Sequence, residues 1–133
     1  GAENIGAVLG PSICGECYRV DAERHDAVRA AVSDRVAHAA LVTGVQQPVH
    51  SQWAPHEQKD EGFGIDIRAG SKERLMELGV AIDGEELLQG RECTYESATW
   101  FSYRRSMAQA RSGRSGRQAL AVVSATSNDA DES

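Results

Sequence analysis

Gly64 to Ile82, GIDIRAGSKERLMELGVAI, is the stretch from which the fold can be read. Ile65-Asp66-Ile67 leads into a helix, and Ile67, Ser71, Leu75 and Leu78 recur on one of its faces. Gly79 stands where a helix commonly ends in a left-handed residue, and Val80 can cover Leu75 in the apolar contact that accompanies such a stop. Val80 to Ile82 then begins a strand, and Glu85 to Gln89 is read as continuing the sheet.

Working toward the N-terminus, Ile5 to Leu9 (IGAVL) is an apolar run closed by Gly10-Pro11, which reads as a buried strand ending in a turn. Ser12 to Glu16 has neither helical nor strand period and reads as an ordered loop. Asp21 is a good N-cap, with Glu23 in the first turn, and Val28, Ala31, Val32 and Val36 follow at helical spacing. One amphipathic helix is expected from about Asp21 to about Val36. Leu41 to Val45 reads as a short strand, and Pro48, Pro55 and the charged run Glu57 to Glu61 break any long element before Phe63.

Toward the C-terminus, Ala98 to Tyr103 is aromatic and compact, an arginine-rich loop follows, and Gln118 to Val123 (QALAVV) has the continuous apolar character of a buried strand. Residues 125–133 form a polar tail expected to be disordered. Short strands interleaved with two amphipathic helices that pack on the sheet give an α+β fold, a mixed α/β sandwich.

At 133 residues, 41% of them apolar and 26% charged, the chain has the composition of one globular domain. No apolar run approaches the roughly 18 residues that a spanning helix needs, and no leader pattern opens the chain. A cytoplasmic location is expected, with no membrane partner. A formal net charge of −6 argues against a nucleic-acid partner. The charge is uneven, because Arg104, Arg105, Arg111, Arg114 and Arg117 follow one another without an intervening acid. Such a cluster can hold a phosphate; the plainer reading is a solvated loop.

Cys14, Cys17 and Cys93 are odd in number, which suits reduced thiols better than a disulfide framework. Cys14-Gly15-Glu16-Cys17 could share a zinc ion or form a redox disulfide. A structural zinc site needs four ligands, and no second CxxC or close histidine pair supplies the rest, so plain loop thiols are the simpler account. His25, His38, His50 and His56 are scattered, and each reads as an ordinary surface or boundary residue. Arg104 and Arg105, next to Phe101 and Tyr103, can grip phosphate, stack on a planar base, or serve as structural ion pairs. Gly10-Pro11, at the C-terminal end of a strand, is placed where ligands bind in open α/β arrangements.

Several of these segments fall into one pattern. NIGAVLGPSI at Asn4 to Ile13, CYRVD at Cys17 to Asp21, Gly64 to Ile67, Leu75, Gly79-Val80, Cys93-Thr94, FSYRR at Phe101 to Arg105 and Ser115-Gly116-Arg117 together resemble the C-terminal half of the laccase-domain family. Its members are also called multicopper polyphenol oxidases, peptidoglycan editing factors or purine nucleoside phosphorylases. Arg19 stands where that family more often has an acid, and an insertion around Met107 to Arg114 lengthens the loop between two motifs.

The resemblance implies that residues 1–124 are the C-terminal portion of a larger domain. It implies phosphorolysis of adenosine, inosine, guanosine or methylthioadenosine, with purine nucleosides and phosphate as partners, together with adenosine deamination. It also implies zinc or copper in the complete protein, held by histidine and cysteine motifs that do not occur in this sequence and would precede Gly1. No metal ligand is therefore expected in this chain, and the chain alone is expected to be inactive. Arg104, Arg105, Gly10, Pro11 and Tyr18 become candidates for binding substrate or phosphate, and Cys17, Cys93, Thr94 and Tyr103 candidates for the pocket wall. Two other readings stand beside this one: a non-catalytic nucleotide- or partner-binding module that uses the arginine-rich loop, and a small CxxC zinc protein.

Overall fold

A computed structural model describes residues 1–44, 62–88, 92–108 and 116. The strand expected at Gln118 to Val123, the insertion beyond Ala108, the polar tail, His50 and His56 lie outside the described residues.

The fold is α+β. Strand β1 (Gly6–Val8) pairs in parallel with β5 (Ala81–Asp83). A second sheet has the antiparallel order β2-β4-β3, formed by β2 (Arg19–Val20), β3 (Leu41–Thr43) and β4 (Phe63–Ile65). The described α-helices are α1 (Ala22–Ala31), α2 (Asp34–Ala40), α3 (Ile67–Glu77) and α4 (Tyr103–Ala108), and a 3-10 turn at Ala2–Asn4 opens the chain. Glu85–Leu88 is a short 3-10 turn rather than a continuation of the sheet. Gly84, with φ of 69°, turns the chain out of β5 just before it.

The helix stop at Gly79 has the geometry its sequence predicts. Gly79 lies at φ 79°, its N–H donates to the Met76 carbonyl, and the Val80 N–H donates to the Leu75 carbonyl, which is the paired bonding of a Schellman motif. At the other end the Asp66 carboxylate accepts from the Ala69 N–H.

The single helix expected from Asp21 to Val36 is instead two. Val32 leaves the helical region at φ −121°, ψ 166°, and Ser33 caps a new helix by accepting from the Val36 N–H. Serine bonds its own downstream backbone and so competes with helix continuation, which is why the break falls there. The expected apolar face changes with it: Val36 is buried, while Ala31 is exposed.

The face expected to pack on α3 is also corrected. Ile67 and Leu78 are 46% and 50% exposed, and the buried residue of that helix is Gly70. A Cβ at Gly70 would come within 2.8 Å of the Ala40 Cβ, so the missing side chain is what lets α3 approach α2. The buried core is accordingly built of compact side chains: Val20, Val36, Ala37, Ala40, Ile65 and Val80, joined by Cys93 and Tyr95.

Two further expectations are overturned by burial. The Ile5 to Leu9 run forms a strand, but Ile5 and Val8 are 55% and 56% exposed, because β1 is paired only with β5 among the described residues. His25, read as a surface or boundary residue, is 2% exposed, with its ring 4.7 Å from that of Phe63. It sits on the side of α1 that faces β4, where an imidazole ring packs as an aromatic would.

Candidate functional site

Two turns from distant parts of the chain meet beside the three-stranded sheet. In the first, the N–H groups of Cys17 and Tyr18 both donate to the Cys14 carbonyl, at 3.2 and 2.9 Å, which curls Cys14-Gly15-Glu16-Cys17 so that both thiols reach one place. The turn is seated by Gly15, whose Cβ position would collide with Val42 and Asp66. A Cβ on Gly64 would in turn overlap the Gly15 carbonyl. Backbone thus packs on backbone, and both positions exclude a side chain.

The second turn is Cys93-Thr94-Tyr95-Glu96, closed by the Ser97 N–H donating to the Cys93 carbonyl at 3.0 Å. A parallel bridge joins it to the first: the Ser12 N–H donates to the Glu92 carbonyl at 2.9 Å, and the Thr94 N–H donates to the Ser12 carbonyl at 3.1 Å. The Cys14 N–H then donates to the Cys93 sulfur at 3.4 Å.

The result is a group of four donors, Cys14, Cys17, Cys93 and Glu96, whose ligand atoms all lie within 4.8 Å of one another. The Cys17 and Cys14 thiols donate to Glu96 Oε1 at 3.3 and 3.9 Å. All three cysteines are free of disulfide bonds, and Cys93 is buried. Hydrogen bonds from the Cys14 and Cys17 thiols hold the Cys93 thiol far down, to about 2, with the backbone N–H groups of Cys14 and Glu96 adding to the effect. Cys17 moves far upward, through its bonds to Cys14 and Cys93 and then through burial. For Cys14 the bond with Cys17 acts downward, but its bond to Cys93 and its burial outweigh it and push it up to about 11.

Arg105 secures the second turn. Its guanidinium donates to the carbonyls of Thr94, Tyr95, Ser97 and Trp100, so it is spent on bracing the loop that carries Cys93 and Glu96. Arg104 points differently. It lies over the Tyr18 ring, 4.8 Å from the centroid, and donates to the Arg19 carbonyl at 3.0 Å. Burial first, and then the charge of Arg24, pull its guanidinium below the ordinary range. Both arginines stand on α4 rather than in a loop.

The structure thus brings Cys17, Cys93, Thr94 and Arg105 into one assembly, with Tyr18 and Arg104 stacked next to it. Gly10 is exposed, with open space where a Cβ would stand, and Pro11 is partly buried one residue before the bridge. Tyr103 is 63% exposed at the start of α4.

Sequence reasoning did not find Glu96, nor that Cys14 and Cys93 belong to one group. The partners lie 79 and 82 residues beyond Cys14. A signal was present all the same: Cys93-Thr94-Tyr95-Glu96 repeats the spacing of Cys14 to Cys17 with a carboxylate in place of the last thiol.

Residues 1–125 match the model of a family described as multi-copper polyphenol oxidoreductase laccase. The chain is also 35% identical over 101 residues to a purine nucleoside phosphorylase of Streptomyces coelicolor, an alignment that takes in 76% of this chain and 32% of that protein. The chain therefore spans about a third of the length of the curated relative it matches. No solved structure matches it. No helix among the described residues is long and apolar enough to cross a membrane.

Proposed function

This chain belongs to the multi-copper polyphenol oxidoreductase laccase family, and from that premise we propose that the protein carrying it is a purine nucleoside phosphorylase. The observation that carries this reading is the 35% identity to a protein of that name. In the reaction, a phosphate oxygen bonds to the ribose C1′ as the bond from C1′ to the purine nitrogen breaks. The bonding pair leaves with the purine, which takes up a proton. Adenosine, inosine, guanosine and methylthioadenosine are the substrates this reading carries, with adenosine deamination as a second activity.

Within that protein the present chain would supply a wall of the substrate site. The physical support is the Arg104–Tyr18 pair, a partly desolvated cation stacked on an aromatic ring. A guanidinium shielded from water attracts phosphate oxygens more strongly than an exposed one, and it can approach them bidentately. Arg105 is assigned to positioning, since four backbone carbonyls occupy its guanidinium.

The family description names copper, and the donor group found among the described residues does not fit a copper centre that cycles between oxidation states. Such a site is built on imidazoles with one thiolate, whereas the metal-competent group among the described residues has three thiols, one carboxylate and no histidine. No step of the phosphorolysis is therefore routed through a metal here.

The test is kinetic and uses the complete protein that contains this chain. Inosine and inorganic phosphate should yield hypoxanthine and ribose 1-phosphate, and Arg104→Ala should raise the KM for phosphate at least tenfold. A parent protein that fails to phosphorolyse any purine nucleoside would overturn the reading. An unchanged phosphate KM in Arg104→Ala would remove Arg104 from it.

A further inference from the structure

We infer that Cys14, Cys17, Cys93 and Glu96 bind one zinc ion, in a four-coordinate site of three sulfurs and one oxygen that clamps the Ser12–Tyr18 loop to the Glu92–Trp100 loop. The inference stands on the geometry of these four residues and does not rest on the assignment of phosphorylase activity.

The first ground is fit. Zinc takes thiolate sulfur at about 2.3 Å and carboxylate oxygen at about 2.0–2.2 Å, so tetrahedral donors stand about 3.5–3.8 Å apart. The Cys17–Glu96 and Cys14–Glu96 separations of 3.3 and 3.9 Å lie close to that edge, and no pair in the group exceeds 4.8 Å. For all four to share one centre, the widest separation, at most 4.8 Å, must close by about 1 Å to the tetrahedral edge.

The second ground is preorganisation. Each ligand pair sits on a tight turn of the same spacing, Cys-x-x-Cys and Cys-x-x-Glu, and a turn of this kind presents residues one and four to a single ion. The turns are locked face to face by the Ser12–Cys93 bridge and by the Cys14 N–H donating to the Cys93 sulfur. Arg105 fixes the second turn through four carbonyls. An amide aimed at a sulfur favours the thiolate form that a metal requires, and it orients that sulfur as outer partners of metal ligands do.

The third ground is donor chemistry. Three thiolates favour zinc or Cu(I) over hard cations, and the carboxylate, a hard oxygen donor, tips the choice to zinc. Four protein ligands leave no open position, which makes the site structural. Binding needs no oxidant: the thiol protons go to solvent as the sulfurs become ligands.

The test uses the full 133-residue chain, reduced, stripped with chelator and then supplied with zinc chloride alone. Elemental analysis after dialysis should find one zinc per chain. Cobalt(II) in its place should give the intense thiolate-to-metal charge-transfer absorption and the visible bands of tetrahedral coordination. Glu96→Gln, which keeps the shape of the ligand, should weaken zinc at least tenfold in competition with a chromophoric chelator, and Cys93→Ser should abolish stoichiometric uptake. Absence of zinc uptake by the reduced chain would overturn the inference. So would copper retained at one per chain with zinc excluded, or an affinity unmoved by Glu96→Gln. A Cys14–Cys17 disulfide that persists in the zinc-treated chain, seen by mass spectrometry, would replace the clamp with a redox pair.

Discussion

Around α2 and α3 the chain is held by small apolar groups in close contact, with Gly70 seated on Ala40, and Val36 and Ala37 buried beside them. Residues 12–18 are held to 92–105 by polar bonds instead, two backbone hydrogen bonds and a cluster of thiols, and the second segment is braced from within by one guanidinium serving four of its own carbonyls. The helix pair is closed by direct contact of small side chains across Gly70 and Ala40. The cysteine-lined end gathers three thiols and a carboxylate within 4.8 Å of one another, an arrangement that a cation completes. One chain of modest core thus uses two kinds of cement.

The largest effect should come where the two regions share backbone. Gly64 of β4 lies against the Gly15 carbonyl with no room for a Cβ, so Gly64→Ala must push the sheet and the Cys14 turn apart. Overpacking typically costs about 1–3 kcal/mol and occasionally more; overlap with a backbone carbonyl, which has no rotamer to yield, puts this substitution at or above the top of that range, and the urea midpoint should fall while zinc uptake is lost with it. A midpoint within error of wild type would show that the two regions are not coupled there.

Arg105→Ala should separate them. The four bonds share one guanidinium, and the loop carbonyls it releases can turn to water, so the loss is that of one hydrogen-bonded charged group, roughly 1.5–3 kcal/mol in all. Amide exchange should accelerate at residues 93–100 and remain slow in α2 and α3. Uniform acceleration would mean that Arg105 supports the whole fold.

On the helical side the expected losses are smaller. Gly79→Ala places a side chain at φ 79°, a cost of about 1–2 kcal/mol, and Ser33→Ala removes the cap of α2 for about 1 kcal/mol. Both should lower the thermal midpoint and leave zinc stoichiometry at one. Smallest of all, Arg35→Ala breaks an ion pair with Glu73 whose arginine is 55% exposed, and it should change stability by well under about 1 kcal/mol.

The same division explains what could be read from the sequence. Asp21, Asp66 and Gly79 announce helix ends because capping is a property of a few adjacent residues, and β1, β3 and β5 follow from short apolar runs between turn residues. The break at Val32–Ser33 was hidden because Val28, Val32 and Val36 keep helical spacing across it, so periodicity continued where hydrogen bonding did not. The packing face of α3 was hidden for a related reason: helix contact there depends on a missing side chain at Gly70, and apolar periodicity scores only the side chains that are present. At the candidate site, Cys17, Cys93, Thr94 and Arg105 carried visible signals one at a time. Their assembly depends on the bridge between Ser12 and Cys93, which no local pattern encodes, and Glu96 looks like any other acid until that bridge is formed.

X-ray absorption at the zinc edge of the metal-loaded full chain tests the central claim most directly, because it reads the ligand set itself. The account predicts one zinc surrounded by three sulfurs at about 2.3 Å and one oxygen at about 2.0–2.2 Å, with a sulfur lost in Cys93→Ser. A first shell of imidazole nitrogens, or of water oxygens with no sulfur, would contradict it.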